Sequence, residues 1–114
     1  MEKIFSQIKG LMVTIRTRYP RRLYLPKATY QMMLENVGPV YSVDMYIDEK
    51  RLLIKPNNSS GEFILSHNGS SPNGRNVSFP QSYLEKYNVR EGHYRCDVDK
   101  EGAVYIQLDR RVEK

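Results

Sequence analysis

The sequence predicts a mostly β fold with short helices, and three observations predict it. Apolar residues alternate with polar ones over short runs, as in Val43, Met45, Ile47 and again Val104, Ile106, which is the period of a half-buried strand. Proline, glycine and asparagine punctuate those runs closely, leaving little room for long helices. Finally, one stretch occurs twice. Arg21, Leu23, Leu25 and Pro26 have counterparts 54 residues later in Arg75, Val77, Phe79 and Pro80, and Gly38 has Gly92 at the same spacing. A fixed offset over several positions marks an internal repeat.

Each element of the repeat has a physical reason. Residues 11–15 alternate as a first strand, with residues 62–65 as its counterpart. Leu23 and Leu25, like Val77 and Phe79, put one apolar face on a second strand. Pro26 and Pro80 end it, because a central strand cannot spare the missing N–H, and proline's φ suits the first turn of a helix. Tyr30, Met33 and Leu34 then fall on one helical side, as do Tyr83, Leu84 and Tyr87. Gly38 and Gly92 are expected to release the chain from those helices. A hairpin follows in each copy. The first turns at Asp48, Glu49 and Lys50 and returns through Leu52 and Ile54; the second turns at Lys100, Glu101 and Gly102 and returns through Val104, Ile106 and Leu108. Residues 56–61 read as a turn-rich linker and residues 66–74 as a polar, mobile loop. The expected organisation is an N-terminal arm at 1–10, a first half at 11–57, a second half at 58–109 and a tail at 110–114, the two halves making one barrel. In the arm, Ile4, Phe5 and Ile8 are compatible with one amphipathic turn or with a frayed terminus.

Charge is distributed unevenly. The chain of 114 residues carries a net charge of +5, and residues 1–57 hold ten Lys and Arg against five Asp and Glu, while residues 58–114 hold eight of each. Arg16, Arg18, Arg21, Arg22 and Lys27 follow one another with no acid between them. Such a run is self-repelling unless a polyanion is near, and phosphate is the commonest polyanion; a solvated face that aids solubility is the bland alternative. The single Cys96 excludes an internal disulfide and reads as a small apolar strand residue. His67 and His93 lack partners at ligand spacing, so no metal site and no cofactor are expected. No nucleophile elbow, Walker loop or Ser–His–Asp set can be assembled, so no enzyme is expected. The acidic groups Asp44, Asp48, Glu49, Asp97, Asp99 and Glu101 fall on hairpin faces and tips, where charge discourages edge pairing. No run is long and apolar enough for a membrane span, and the opening is too broken for a signal peptide. Most of the nine tyrosines are expected to pack in the core, with Tyr19 in a loop as the exception.

The repeated unit, Gly74, Arg75, Asn76, Val77, Ser78, Phe79, Pro80 in one copy and Arg21 to Pro26 without a leading glycine in the other, resembles the motif of the AbrB/MazE/SpoVT superfamily of looped-hinge DNA-binding proteins. The resemblance extends over residues 11–108. It implies a swapped-hairpin barrel in which one chain supplies both halves, a single-chain pseudo-dimer. It also implies double-stranded DNA binding, and a transcriptional regulator, through Arg16, Arg18, Arg21, Arg22 and Lys27 in the first half. In the second half it points to Arg75, with Asn73 and Asn76, and more weakly Asn68, as polar contacts. The acidic toxin-binding tail of the antitoxin members has no counterpart after residue 109, so no toxin partner is expected. The expected partners are duplex DNA and a second copy of the chain, and the expected location is the prokaryotic, archaeal or viral-host cytoplasm, at the nucleoid. Two other readings stand beside this one: a protein-interaction module on the same barrel, and a non-specific architectural DNA-binding protein.

Overall fold

A computed structural model describes residues 11–68 and 71–112; the N-terminal arm 1–10 and the side chains of Asn68 and Asn73 lie outside the described part. The elements run β1 (Met12–Arg16), β2 (Arg22–Leu25), α1 (Lys27–Val37), β3 (Ser42–Ile47), β4 (Arg51–Pro56), β5 (Phe63–Ile64), β6 (Ser66–Asn68), β7 (Ser71–Ser78), α2 (Gln81–Lys86), β8 (Gly92–Val98) and β9 (Val104–Val112). The strands form one antiparallel sheet in the order β5-β3-β4-β9-β8-β1-β2-β7-β6. Counting β5 and β6 as one interrupted strand, this is a nearly closed eight-stranded barrel. Closure hides the sheet edges that a unit of half this length would expose.

Pairing repeatedly crosses between the two halves. β1 pairs with β8 of the second half, β3 with β5, β2 with β7 and β4 with β9. Within the halves, β1 pairs with β2, β6 with β7, β3 with β4 and β8 with β9. Exchanging the halves turns this list into itself. Leu23 and Val77, the same position in the two copies of the motif, stand directly opposite each other in the β2–β7 ladder. A local two-fold therefore runs between them. β5 and β6 together take the place that β1 holds in the first half, broken at Leu65, whose N–H donates to the Tyr41 carbonyl.

The core is made by the alternation read from the sequence. Val13, Ile15, Leu23, Leu25, Val43, Ile54, Val77 and Val104 are completely buried inside the barrel. α1 closes one end with Thr29, Tyr30 and Met33, and the Thr29 hydroxyl donates to the Met12 carbonyl at 2.7 Å. α2 closes the other end with Leu84 alone buried, being six residues long where α1 has eleven.

Four expectations need correction. Residues 66–74 are not a loop: apart from residues 69 and 70, outside the described part, they belong to β6 and β7, whose main chains pair despite the polar sequence. A strand needs its backbone hydrogen bonds satisfied more than it needs apolar side chains on both faces. Gly92 does not end α2. It opens β8, and Asn88, with φ 50°, makes the turn after the helix while Gly38 performs that role after α1. The tail expected from residue 110 is, through Val112, the end of β9. Most tyrosines lie outside the core: Tyr30 and Tyr94 are buried, whereas Tyr19, Tyr41, Tyr46, Tyr83 and Tyr105 are exposed. A barrel this small has few interior positions, and aliphatic residues fill them.

The linker 56–61 is held by specific bonds. Asn58 Oδ1 accepts from the Tyr41 N–H at 2.7 Å and its Nδ2 donates to the Pro39 carbonyl at 2.8 Å. Asp44 accepts from Asn57 Nδ2 at 2.8 Å and from the Glu62 N–H at 3.0 Å. These bonds, Asn57's first, hold the Asp44 carboxyl below the usual carboxylate range. The carboxylate thus fixes the crossover from the first half to the second.

Candidate nucleic-acid interface

The sheet's inward alternation decides which basic side chains face out. Val13 and Ile15 point into the core, so Arg16 points away from it, and on β2 the buried Leu23 leaves Arg22 on the outer face by the same parity. Arg16 and Arg22 are Cα partners in the β1–β2 ladder. Like charges directly opposite in an antiparallel pair destabilise it, by something on the order of 0.2–1 kcal/mol. Two guanidinium groups held side by side form a site poised for an anion.

Further cations gather around Glu91, at the end of the β1–β2 loop. The Glu91 carboxylate accepts from the Thr17 N–H at 3.2 Å and pairs with Arg18 Nη2 at 3.2 Å. Its main-chain carbonyl accepts from Arg111 Nη1 at 2.9 Å. The Thr17 N–H above all holds this carboxyl below the usual glutamate value; burial opposes it, and Arg18 and then Arg16 add to the lowering. One carboxylate thus stands beside Arg18 and Arg16, whereas Arg111, ladder partner of the buried Tyr94, follows its parity toward the barrel end. The Arg18–Glu91 pair is exposed to solvent, and such pairs contribute about 0–1 kcal/mol. It orients the loop more than it stabilises the fold.

The predicted residues divide into two groups. Arg16, Arg18 and Arg22 come together on this outer face, and the fully solvated Tyr19, 83 % exposed, projects from the same loop. Arg21 is half-buried at the edge of the group, its carbonyl accepting from the Phe79 N–H. Lys27 lies at the other end of β2, exposed in the first turn of α1, where a cation opposes the helix dipole. Arg75 is the partner of the buried Leu25 and follows its parity, so it turns toward the barrel end. Its guanidinium lies over the Tyr30 ring, 4.4 Å from the centroid. Asn76 is buried between its ladder partners Tyr24 and Ser66. Asn73 belongs to β7, with its side chain outside the described residues.

Sequence reasoning missed Arg111, which fell in the expected tail. Its signal was Gly92: a Cβ built there would stand 2.6 Å from Arg111 Cδ, so the glycine admits the arginine stem. Gly74 is explained in the same way. A Cβ at Gly74 would stand 2.3 Å from the Tyr24 hydroxyl, because the Tyr24 ring lies across the β7 backbone. By the repeat spacing Gly74 corresponds to Pro20 and Tyr24 to Ser78, so a serine takes the ring's place beside the first copy. That is why the first copy needs no leading glycine.

Other chemistry finds little support. Cys96 is buried in β8, and burial above all pushes its thiol up to about 12, so the thiolate that a nucleophile requires is scarce at neutral pH. His93 Nδ1 is 2.8 Å from the Thr14 hydroxyl, a bond between neighbouring strands. Among the described residues no group of three or more His, Cys, Asp or Glu is arranged to hold a metal ion, and no helix is long and apolar enough to cross a membrane. No protein-family model, curated protein or solved structure matches the chain.

Proposed function

We propose that this chain is a double-stranded DNA-binding protein, a transcriptional regulator of the AbrB-like kind, built as a single-chain swapped-hairpin barrel. The observation that carries the reading is the Arg16–Arg22 pair on the outer face of β1 and β2, with Arg18 held beside it by the Glu91 carboxylate. Phosphates spaced along a duplex relieve that repulsion and release counterions in doing so. Arginine also reads guanine through paired donors, so the same groups can position and specify. The crossed pairing of the halves is the arrangement that interleaved hairpins produce, and it supports the barrel part of the proposal.

The test is fluorescence anisotropy of a labelled duplex titrated with protein at several salt concentrations. Binding is expected to weaken steeply with salt, and Arg16→Glu/Arg22→Glu is expected to abolish it while circular dichroism stays unchanged. A folded double variant that binds as tightly as the wild type would sink the reading. Comparison of unrelated duplexes separates a regulator from an architectural protein, which would bind all of them equally.

A second reading has its own observation. Beside the short α2, an apolar groove is bordered by Met45, Tyr46, Phe63, Phe79 and Tyr83, and Ile64 near it is 76 % exposed. A protein partner would cover such a surface. Saturable binding of a protein that Tyr83→Ser abolishes and added DNA does not affect would favour it.

A further inference from the structure

The two-fold between Leu23 and Val77 makes it possible to ask what stands at each related position. In the β2–β7 ladder Arg22 pairs with Ser78 and Tyr24 with Asn76, so Arg22 and Asn76 exchange places. On the next strand out, Arg16 pairs with Arg22, and Ser66 pairs with Asn76. Arg16 therefore corresponds to Ser66. β1 and β6 are thus offset by 50 residues, which carries Arg18 onto Asn68 in the sequence. The three cations of the first face are matched by serine, asparagine and asparagine. Arg111, the partner of the buried Tyr94, is on the inward parity and does not belong to that face.

We infer that the barrel grips duplex DNA from one side only: the first face supplies the phosphate contacts, its two-fold partner supplies none, and the site read is non-palindromic. The inference rests on the DNA-binding reading and deepens it. Backbone symmetry alone would present the same surface to both halves of a palindrome. Here the backbone keeps the symmetry, and the side chains that hold phosphate do not. Arg75, the second half's one arginine on the repeated motif, does not restore the balance, because its guanidinium lies over Tyr30 on the inward-turned parity.

The experiment is the salt dependence of binding to a random-sequence 20-base-pair duplex by anisotropy, for wild type, Arg16→Ser, Arg22→Asn and Arg75→Gln, each shown folded by circular dichroism. Each phosphate contact contributes about −0.9 to the slope of log K against log salt. One-sided engagement through Arg16, Arg18 and Arg22 gives a wild-type slope of about −3, and symmetric engagement about twice that. Arg16→Ser and Arg22→Asn are expected each to flatten the slope by about 0.9, and Arg75→Gln to leave it unchanged. A wild-type slope of about −6, or a flattening by Arg75→Gln equal to that of Arg16→Ser, overturns one-sidedness while leaving DNA binding intact. Absence of any salt-dependent binding overturns both. Because Arg75→Gln removes a ring contact and can weaken the fold, Arg75→Lys serves as the second variant and is held to the same unchanged slope.

Discussion

The faces around β2 and β7 share a backbone and differ in what they display. On the first, Arg16 and Arg22 stand side by side; on the second, Ser66 and Asn76 occupy the related places. Inside the barrel the difference disappears, because Leu23 and Val77 are both completely buried at the axis. A tandem chain keeps the core that both halves need and is free to change what only one half uses. Symmetry in a homodimer forbids that freedom, since one residue change appears twice.

The axis itself is where the comparison breaks most easily. Leu23→Ala is expected to destabilise the protein by about 2–5 kcal/mol, read by urea unfolding, and Val77→Ala by somewhat less because fewer buried carbons are lost. A cost below about 1 kcal/mol at both would show that the axis is not a shared core. The outer faces should respond in the opposite sense. Arg16→Glu/Arg22→Glu is expected to weaken duplex binding by at least about 100-fold at low salt with stability little changed, because one exposed like-charge pair replaces another. The second face holds no such pair, and Ser66→Glu/Asn76→Glu is expected to change binding far less. Equal losses from the two faces would end the claim that they differ.

Two smaller effects sharpen the contrast. Gly74→Ala forces a methyl group into the Tyr24 ring and is expected to cost about 1–3 kcal/mol; Tyr24→Ser, which copies the related Ser78, should relieve most of it in a double-mutant cycle. Additive costs would mean that the ring is not the obstacle. Glu91→Gln removes the carboxylate among the first-face arginines and is expected to raise duplex affinity a few-fold. It should also flatten the acid side of the stability curve. The folded Glu91 carboxyl lies below its usual value of 4.5, so its stabilisation is present above that value and is lost as pH falls through the folded pKa. Unfolding midpoints at pH 7 and pH 3 check the sign: the variant should lose less stability between them than the wild type.

Much of the fold was legible because it rests on local chemistry. The alternation at Val43, Met45 and Ile47, the prolines before the helices and the charged hairpin turns each require only near neighbours. The polar strand β6 and the start of β7, residues 71–74, were illegible for the converse reason, since their pairing satisfies backbone groups that no side-chain pattern reports. Gly92 misled because its spacing matched Gly38 while its cause lay with Arg111, nineteen residues on in sequence and adjacent only after β8 and β9 pair. At the candidate site, the run from Arg16 to Arg22 was visible as charge. Arg75 looked equivalent to its neighbours until its parity beside Leu25 turned it toward Tyr30.

By itself, the sequence determined the strand periods, the repeat and the excess of positive charge in the first half, because these depend on residue order alone. Only the tertiary structure decided which repeat positions are true partners, which arginines share a face, and that Arg75 does not join them. Those relations are set by ladder register, where one residue's shift moves a side chain to the opposite face of the sheet.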